Sequence, residues 1–579
     1  MNSTAAAETA APPTPDGRQR YDLLKCAVAA ILVPLAVYAV LAPDWYYVQN
    51  GLDPFFYTGY VQNFDNIFHA IGDRHYFVSR WSIYMPQRLL LELTGNPKAA
   101  YLLMRWIGGV ILAASIVALG QRRWRRWDTV ALAALALAMP VTLRAVLTDY
   151  SDAVVTPLGA LVIASLALWP RSRRAALAAG VCAGLIVVAN PFGITVVMAA
   201  VPFWLARVER RRWLSLVATS AFGGIAVLVA GWALFRFRYG LPNVYEPTLE
   251  FLRTRAAEQD PLKSPRLWWM GYRLWIYLPL LVLAVYVGLQ RWGRVVFDPV
   301  ERTIVKTLLA QYCFQVWFQF SRHGSTLEIP YYWSYIVPSF VLAISVVGAA
   351  AFRSAAPRTL PLVAALVLVG LRLAGAPSPE LFQSWIDAVI VVVVAVWASQ
   401  RWLRSRPELA AVAFVAVVFA IQVGSPRPEP QLPEELRVLS SYDLLFSDAR
   451  SDGIESFEAV TWFVRDMEQV PERVVRSAVF WFNEPIGARM TAMFGGQVSG
   501  RWLNPNWESN VPTDPLPSGV IGVLQSGELP TVVLIGVPAD VEAIADQMIA
   551  AQPRMRLIHS ATSPARSGTV VWVLTTIEE

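Results

Sequence analysis

The residues best suited to chemistry lie close together near the start of the chain. Asp53 opens the stretch Asp53-Pro54-Phe55-Phe56-Tyr57-Thr58-Gly59-Tyr60, and Ser79-Arg80 follows it. An ionised carboxylate takes a proton from a hydroxyl when it touches the reacting oxygen. Tyr57 and Tyr60 can pack against a sugar ring or hydrogen-bond that carboxylate. Arg80 offers a planar fork of donors that matches a phosphate. Pro54 disfavours the helical region for the residue before it, so the sequence predicts an extended Asp53. The plainer reading of Asp53 is a turn carboxylate that caps a local backbone amide. Asp44, beside Trp45 and Tyr46, reads as a residue at a helix end.

Further along, Leu147-Thr148-Asp149-Tyr150-Ser151-Asp152 brings two carboxylates together. Asp149 and Asp152 can bind a divalent cation or steer a hydroxyl. Otherwise they form a short solvated turn with Asp152 as a helix N-cap. In Ser321-Arg322-His323-Gly324-Ser325-Thr326-Leu327-Glu328, Arg322 and His323 can hold a phosphate, or serve only as interfacial anchors. His69 and His75 have no third metal ligand in view. Cys26, Cys182 and Cys313 fall in apolar segments without metal-ligand spacing and read as small core residues.

The elements that must position these groups are helices in a bilayer. Of 579 residues, 55% are hydrophobic and only 16% charged, against about 25% charged in soluble proteins. Crossing a bilayer takes about twenty apolar residues, and the apolar stretches predict about thirteen membrane helices. They fall at 22–43, 100–120, 129–147, 153–170, 175–190, 192–206, 214–238, 272–290, 306–321, 331–351, 360–375, 384–399 and 409–424. The formal net charge of +7 sits in short clusters between these stretches, such as Arg122 to Arg126, Arg171 to Arg174, Arg207 to Arg212 and Arg401 to Arg406. That pattern is a topology signal and excludes a nucleic-acid surface. By the positive-inside rule it puts the N-terminus in the cytoplasm, and the loop 44–99 and the chain after 424 outside.

Three regions follow. Residues 1–21 form a disordered cytoplasmic tail, 22–424 a transmembrane domain, and 425–579 an extracytoplasmic domain entered through the Pro-rich run at 426–430. In the last region strands near 473–482, 531–537, 555–560 and 568–576 alternate with helices near 455–469, 485–494 and 539–551, which predicts an α/β domain. In the first loop, residues 63–93 predict short helices lying on the membrane surface.

A long first outer loop with an early Asp, a surface-lying helical stretch, about thirteen spans and an outer α/β tail together resemble the C-type (GT-C) superfamily of membrane glycosyltransferases. Its branches include protein O-mannosyltransferases, aminoarabinose transferases acting on lipid A, oligosaccharyltransferases and mycobacterial arabinofuranosyltransferases. The stretch Asp53 to Tyr60 with Ser79-Arg80 is similar to a loop of bacterial members of this group. The resemblance covers the whole chain in architecture and about residues 44–95 in motif. It implies a polyprenyl-phosphate sugar donor and a glycan, lipid or protein acceptor, in a bacterial plasma membrane. Asp53 then stands as catalytic base, with Tyr57, Tyr60, Arg80, Asp149, Asp152, Arg322, His323 and Glu328 as substrate-binding residues. Oligosaccharyltransferase-like members carry acidic residues in a comparable loop and use a divalent cation, which Asp149 and Asp152 would hold here, whereas mannosyltransferase-like members need none. Glu328 distantly resembles the Thr-x-x-Glu-type loop of that branch. The chain departs from the mannosyltransferase and aminoarabinose branches, which have Asp-Glu where it has Asp53-Pro54, so the sugar and acceptor are not implied. A lipid-linked sugar transporter and an O-antigen-ligase-like enzyme are the alternative classes. The first would carry charges deep in its helices, and the second relies on outer Arg and His residues.

Overall fold

The computed structural model describes residues 27–32, 53–72, 75–120, 150–257, 274–291, 295–321, 335–353, 449–483, 485–495, 531–565 and 568–577, with scattered helical positions between 130 and 146. The expected helices at 360–375, 384–399 and 409–424, most of that at 22–43, and the Pro-rich run lie outside these residues. So do Asp44, Asp149, Arg322, His323 and Glu328.

The first loop is helical from Asp53 onward. It contains α1 (Asp53–Gln62), α2 (Phe64–Ile71), a 3-10 turn (Val78–Arg80) and α3 (Trp81–Thr94). The expectation of an extended Asp53 is corrected: Asp53 is the first helical residue. Pro54 falls in the first turn, where its missing N–H has no intrahelical partner to lose and its fixed φ suits the helix. In α2 the apolar residues Phe64, Ile67 and Ile71 recur at helical spacing and are buried, while Asp65 is exposed.

The apolar helices follow as α4 (Pro97–Gly120), α5 (Asp152–Leu168), α6 (Arg173–Ala189), α7 (Ile194–Leu205) and α8 (Arg210–Tyr239), then, after the polar helix α9 (Glu246–Ala257), α10 (Leu274–Arg291), α11 (Pro299–Ser321) and α12 (Val337–Arg353). Among the described helices, α4 and α8 are long and apolar enough to cross a membrane. Helix α5 is buried on nearly all sides, and α3, α4, α6, α7, α11 and α12 surround it. Its run from Ala153 to Leu168 is apolar all round, as a central helix requires. Small residues let α6 and α8 approach closely. A Cβ at Gly180 would lie 1.9 Å from the Ser220 carbonyl oxygen, so a side chain there is sterically excluded.

The tail comprises α13 (Ala449–Met467), α14 (Glu472–Ser477), β1 (Ala478–Phe482), α15 (Pro485–Ala492), β2 (Thr531–Gly536), α16 (Pro538–Ala551), β3 (Met555–Thr562) and β4 (Val570–Thr576). The sheet order is β1-β2-β4-β3, with β1 and β2 parallel and the other pairs antiparallel. The strand expected from 473 is shorter than read. Glu472 to Ser477 forms a helical turn after Pro471, and pairing starts at Ala478. Alternation along the strands separates two faces. Val479, Trp481, Val532 and Leu534 pack with Val541, Ile544 and Met548 of α16. Phe480, Phe482, Val533 and Ile535 join a core continuous with the first loop and the apolar helices.

Candidate active site

Two turns and a helix converge on Arg80. The 3-10 turn Val78–Arg80 places its guanidinium beneath α1, where Nη1 donates to the Tyr57 hydroxyl at 2.8 Å. The guanidinium carbon lies 4.5 Å from the centre of the Tyr76 ring, within cation–π range. Tyr150, in the turn that starts α5, adds a side-chain hydrogen bond to Arg80 and meets the Tyr57 ring edge-on at 5.9 Å. Only 8% of Arg80 is exposed. Among the described residues no carboxylate pairs with it, and its Nε has no hydrogen-bond partner. Burying a cation is costly, by several kcal/mol before compensation. Phenol oxygens and ring faces offset part of that cost. An anion beside the guanidinium would offset the rest.

Rings wall this pocket. Phe77 stacks on Phe56 at 4.7 Å and on His75 at 4.3 Å. Burial, together with the Arg80 charge, pushes the His75 imidazole down to about 4, so the ring is neutral at neutral pH and adds no second charge. Helix α9 closes the other side: the Ser79 and Thr248 hydroxyls share a hydrogen bond at 2.5 Å, and the Phe251 ring centre lies 4.4 Å from that of Tyr76. Trp81 Nε1 donates to the Tyr245 hydroxyl, which donates to the Leu228 carbonyl of α8. Ser82 donates to the Leu185 carbonyl of α6. The first loop is thus fixed to two apolar helices, α6 and α8.

Several expected residues meet here. Tyr57 and Arg80 are in direct contact, and Tyr150 links them to the start of α5. Asp152 is fully buried as the first residue of that helix. For Asp152 the solvated-turn and N-cap reading is therefore corrected, and Ser151 holds the N-cap position. Tyr60 does not join the pocket. It stacks on Tyr84 at 4.6 Å and packs edge-on against Phe64, both buried, so its ring serves the loop's core. Asp53 begins α1, one turn before Tyr57; its side chain lies outside the described residues. His69 is exposed and apart from His75's ring stack. Among the described residues, no three His, Cys, Asp or Glu side chains come together.

Sequence reading missed Arg105. It is buried on α4, with its guanidinium 5.6 Å from the Tyr101 ring, and α4 packs along α5. The signal was present: a charged residue within an apolar helix marks a functional position by default.

No family model matches the chain, and no curated protein sequence matches it. Solved structures do. ArnT from Cupriavidus metallidurans in the apo state aligns over 94% of this chain and 97% of its own, at 15% identity and a TM-score of 0.52. The chain shares the fold of ArnT. The expectation of a largely helical fold with a tail that carries a sheet is borne out. ArnT bound to undecaprenyl phosphate aligns with the same coverage, identity and TM-score. The cryo-EM structure of arabinosyltransferase EmbB from Mycobacterium smegmatis aligns over 73% of this chain and 42% of its own, at 14% identity and a TM-score of 0.42.

Proposed function

We propose that this chain is an integral-membrane glycosyltransferase that moves a sugar from a polyprenyl-phosphate donor to an extracytoplasmic hydroxyl. The observation that carries the reading is the buried Arg80 guanidinium, without a carboxylate among the described residues, in a fold shared with a protein solved bound to undecaprenyl phosphate. Arg80 holds the donor phosphate with Tyr57 and Tyr150 around it. Arg322 and His323 complete the clamp. Asp53 accepts the proton of the acceptor hydroxyl as that oxygen bonds to the anomeric carbon. The bond from that carbon to the phosphate oxygen breaks, and the phosphate keeps the electron pair, with inversion at the sugar. Asp149, Asp152 and Glu328 bind the sugar or acceptor.

In this reading the protein lies in a bacterial plasma membrane with a cytoplasmic N-terminus, and the first loop and tail are outside. One contact supports their shared side: Asn63 of the first loop donates to the Met493 carbonyl of the tail at 3.0 Å. A lipid carrier of the same donor would use a buried charge such as Arg105. Liposomes holding the purified protein, a panel of polyprenyl-phosphate sugars and extracted envelope glycans, lipids and proteins as acceptors separate the two. A transferase releases free polyprenyl phosphate and a linked product. A carrier returns the donor intact, and that result overturns the proposal.

A further inference from the structure

The face of α1 opposite Tyr57 is occupied by the tail. Phe55, Gly59 and Asn63 recur at helical spacing, and the Asn63 N–H, donating to the Gly59 carbonyl at 2.7 Å, continues that face past the last helical residue. Each meets α15 or the turn after it. The Arg489 guanidinium lies 5.6 Å from the Phe55 ring centre. The Met493 carbonyl accepts from the Asn63 amide at 3.0 Å. A Cβ at Gly59 would lie 2.8 Å from that carbonyl oxygen and 3.1 Å from the Met493 Cα. Tyr57, two positions after Phe55, points to the other side and receives Arg80. Helix α1 is therefore held between the pocket and the tail.

We infer that the tail is a working part of the active site: α15 sets the position of the first turn of α1, and Arg489 is a positioning residue for Asp53. The inference rests on the proposed role of Asp53. A ten-residue helix is marginal by itself, and its first turn frays unless neighbours hold it. Asp53 is in that turn, and Phe55, two residues on, carries the Arg489 contact. A shift of about 1 Å at a reacting group costs roughly a hundredfold in rate, so a loosened first turn lowers turnover without loss of donor affinity. Arg80 and its phosphate pocket lie on the opposite face and are left in place.

The test uses the full-length protein in liposomes, with donor affinity, acceptor KM and kcat measured for Arg489→Ala, Arg489→Lys, Gly59→Val and Asn63→Ala. The expected result is a kcat lower by roughly ten- to a hundredfold for Arg489→Ala, Gly59→Val and Asn63→Ala. Donor affinity and acceptor KM stay within about twofold. Arg489→Lys, which keeps a cation over the ring, recovers much of the rate. In an Asp53→Asn background Arg489→Ala causes no further loss, because residues that act through one another are not additive. Thermal unfolding of each variant separates a misfolded tail from a displaced helix. Three outcomes overturn the inference. Parental kcat in Arg489→Ala and Gly59→Val, with Asp53→Asn inactive, leaves the proposed function standing and removes the tail's role. A raised acceptor KM with unchanged kcat makes the tail an acceptor-binding module. Full activity in Asp53→Asn removes both the base and its positioning.

Discussion

Arg80 and Tyr57 face one another across two elements of the first loop, with Nη1 of the guanidinium donating to the phenol oxygen at 2.8 Å. The guanidinium is buried and fully charged at any physiological pH, and its strongest neighbours are neutral phenols. Such a site suits an anion.

Donor binding should depend on that charge. Arg80→Ala is expected to weaken binding of a polyprenyl-phosphate donor by about 1.5–3 kcal/mol, the range for hydrogen bonds to charged groups. Arg80→Lys should recover only part, since an ammonium cannot fork. Equal donor affinity in both variants and the parent would move the clamp elsewhere.

The same charge should burden the ligand-free protein. Taking a guanidinium out of water costs several kcal/mol, and an apolar side chain of similar volume avoids that cost. Arg80→Met is therefore expected to unfold at or above the parental temperature without donor. The parent should gain about 2.7 kcal/mol at a donor concentration 100 times its Kd, and Arg80→Met should lose most of that gain. Marked destabilisation of Arg80→Met without donor would mean that the residue is structural.

His75 sets a pH dependence of stability. Its folded pKa, about 4, lies below the ordinary 6.5. Between these values the unfolded chain binds a proton that the folded one refuses, so stability falls as pH drops from 6.5 to 4 and levels off below. The full effect is up to roughly 3 kcal/mol. His75→Phe should flatten that part of the profile in thermal unfolding measured from pH 7 to 4.5. An unchanged slope would assign the loss to other groups.

Topology can be read with single cysteines in a cysteine-free background. Thr94 and Ser477 are exposed in the first loop and the tail, and Arg174 is exposed at the start of α6. Thr94→Cys and Ser477→Cys should react with an impermeant reagent outside spheroplasts, and Arg174→Cys should not. Labelling at Arg174→Cys, or protection at Ser477→Cys, contradicts the orientation.

Much of this architecture was legible because bilayer helices and strands announce themselves by length and period. The stretches read at 153–170, 214–238 and 531–537 match α5, α8 and β2 within a few residues. Asp53 was misread because Pro54 argues for an extended predecessor in isolation, whereas a first-turn proline also starts helices. Tyr60 looked like a sugar platform, yet Tyr84 and Phe64 enclose it. Contacts between Asn63 and Met493 span 430 residues. No local pattern encodes such a pairing. The Phe55, Gly59, Asn63 stripe shows only that α1 has a second buried face, not what covers it. Arg105 was readable and overlooked, since an apolar window hides one charge.

The central claim is that Asp53 takes the acceptor's proton, and one substitution tests it most directly. Asp53→Asn keeps the shape of the side chain and removes its charge. Transfer from a polyprenyl-phosphate sugar in liposomes should fall by about 10²-fold or more, the usual span for a general base. Donor affinity and unfolding temperature should stay at the parental values. A folded Asp53→Asn protein that releases polyprenyl phosphate at the parental rate would contradict the account and turn the search to Asp149, Asp152 and Glu328.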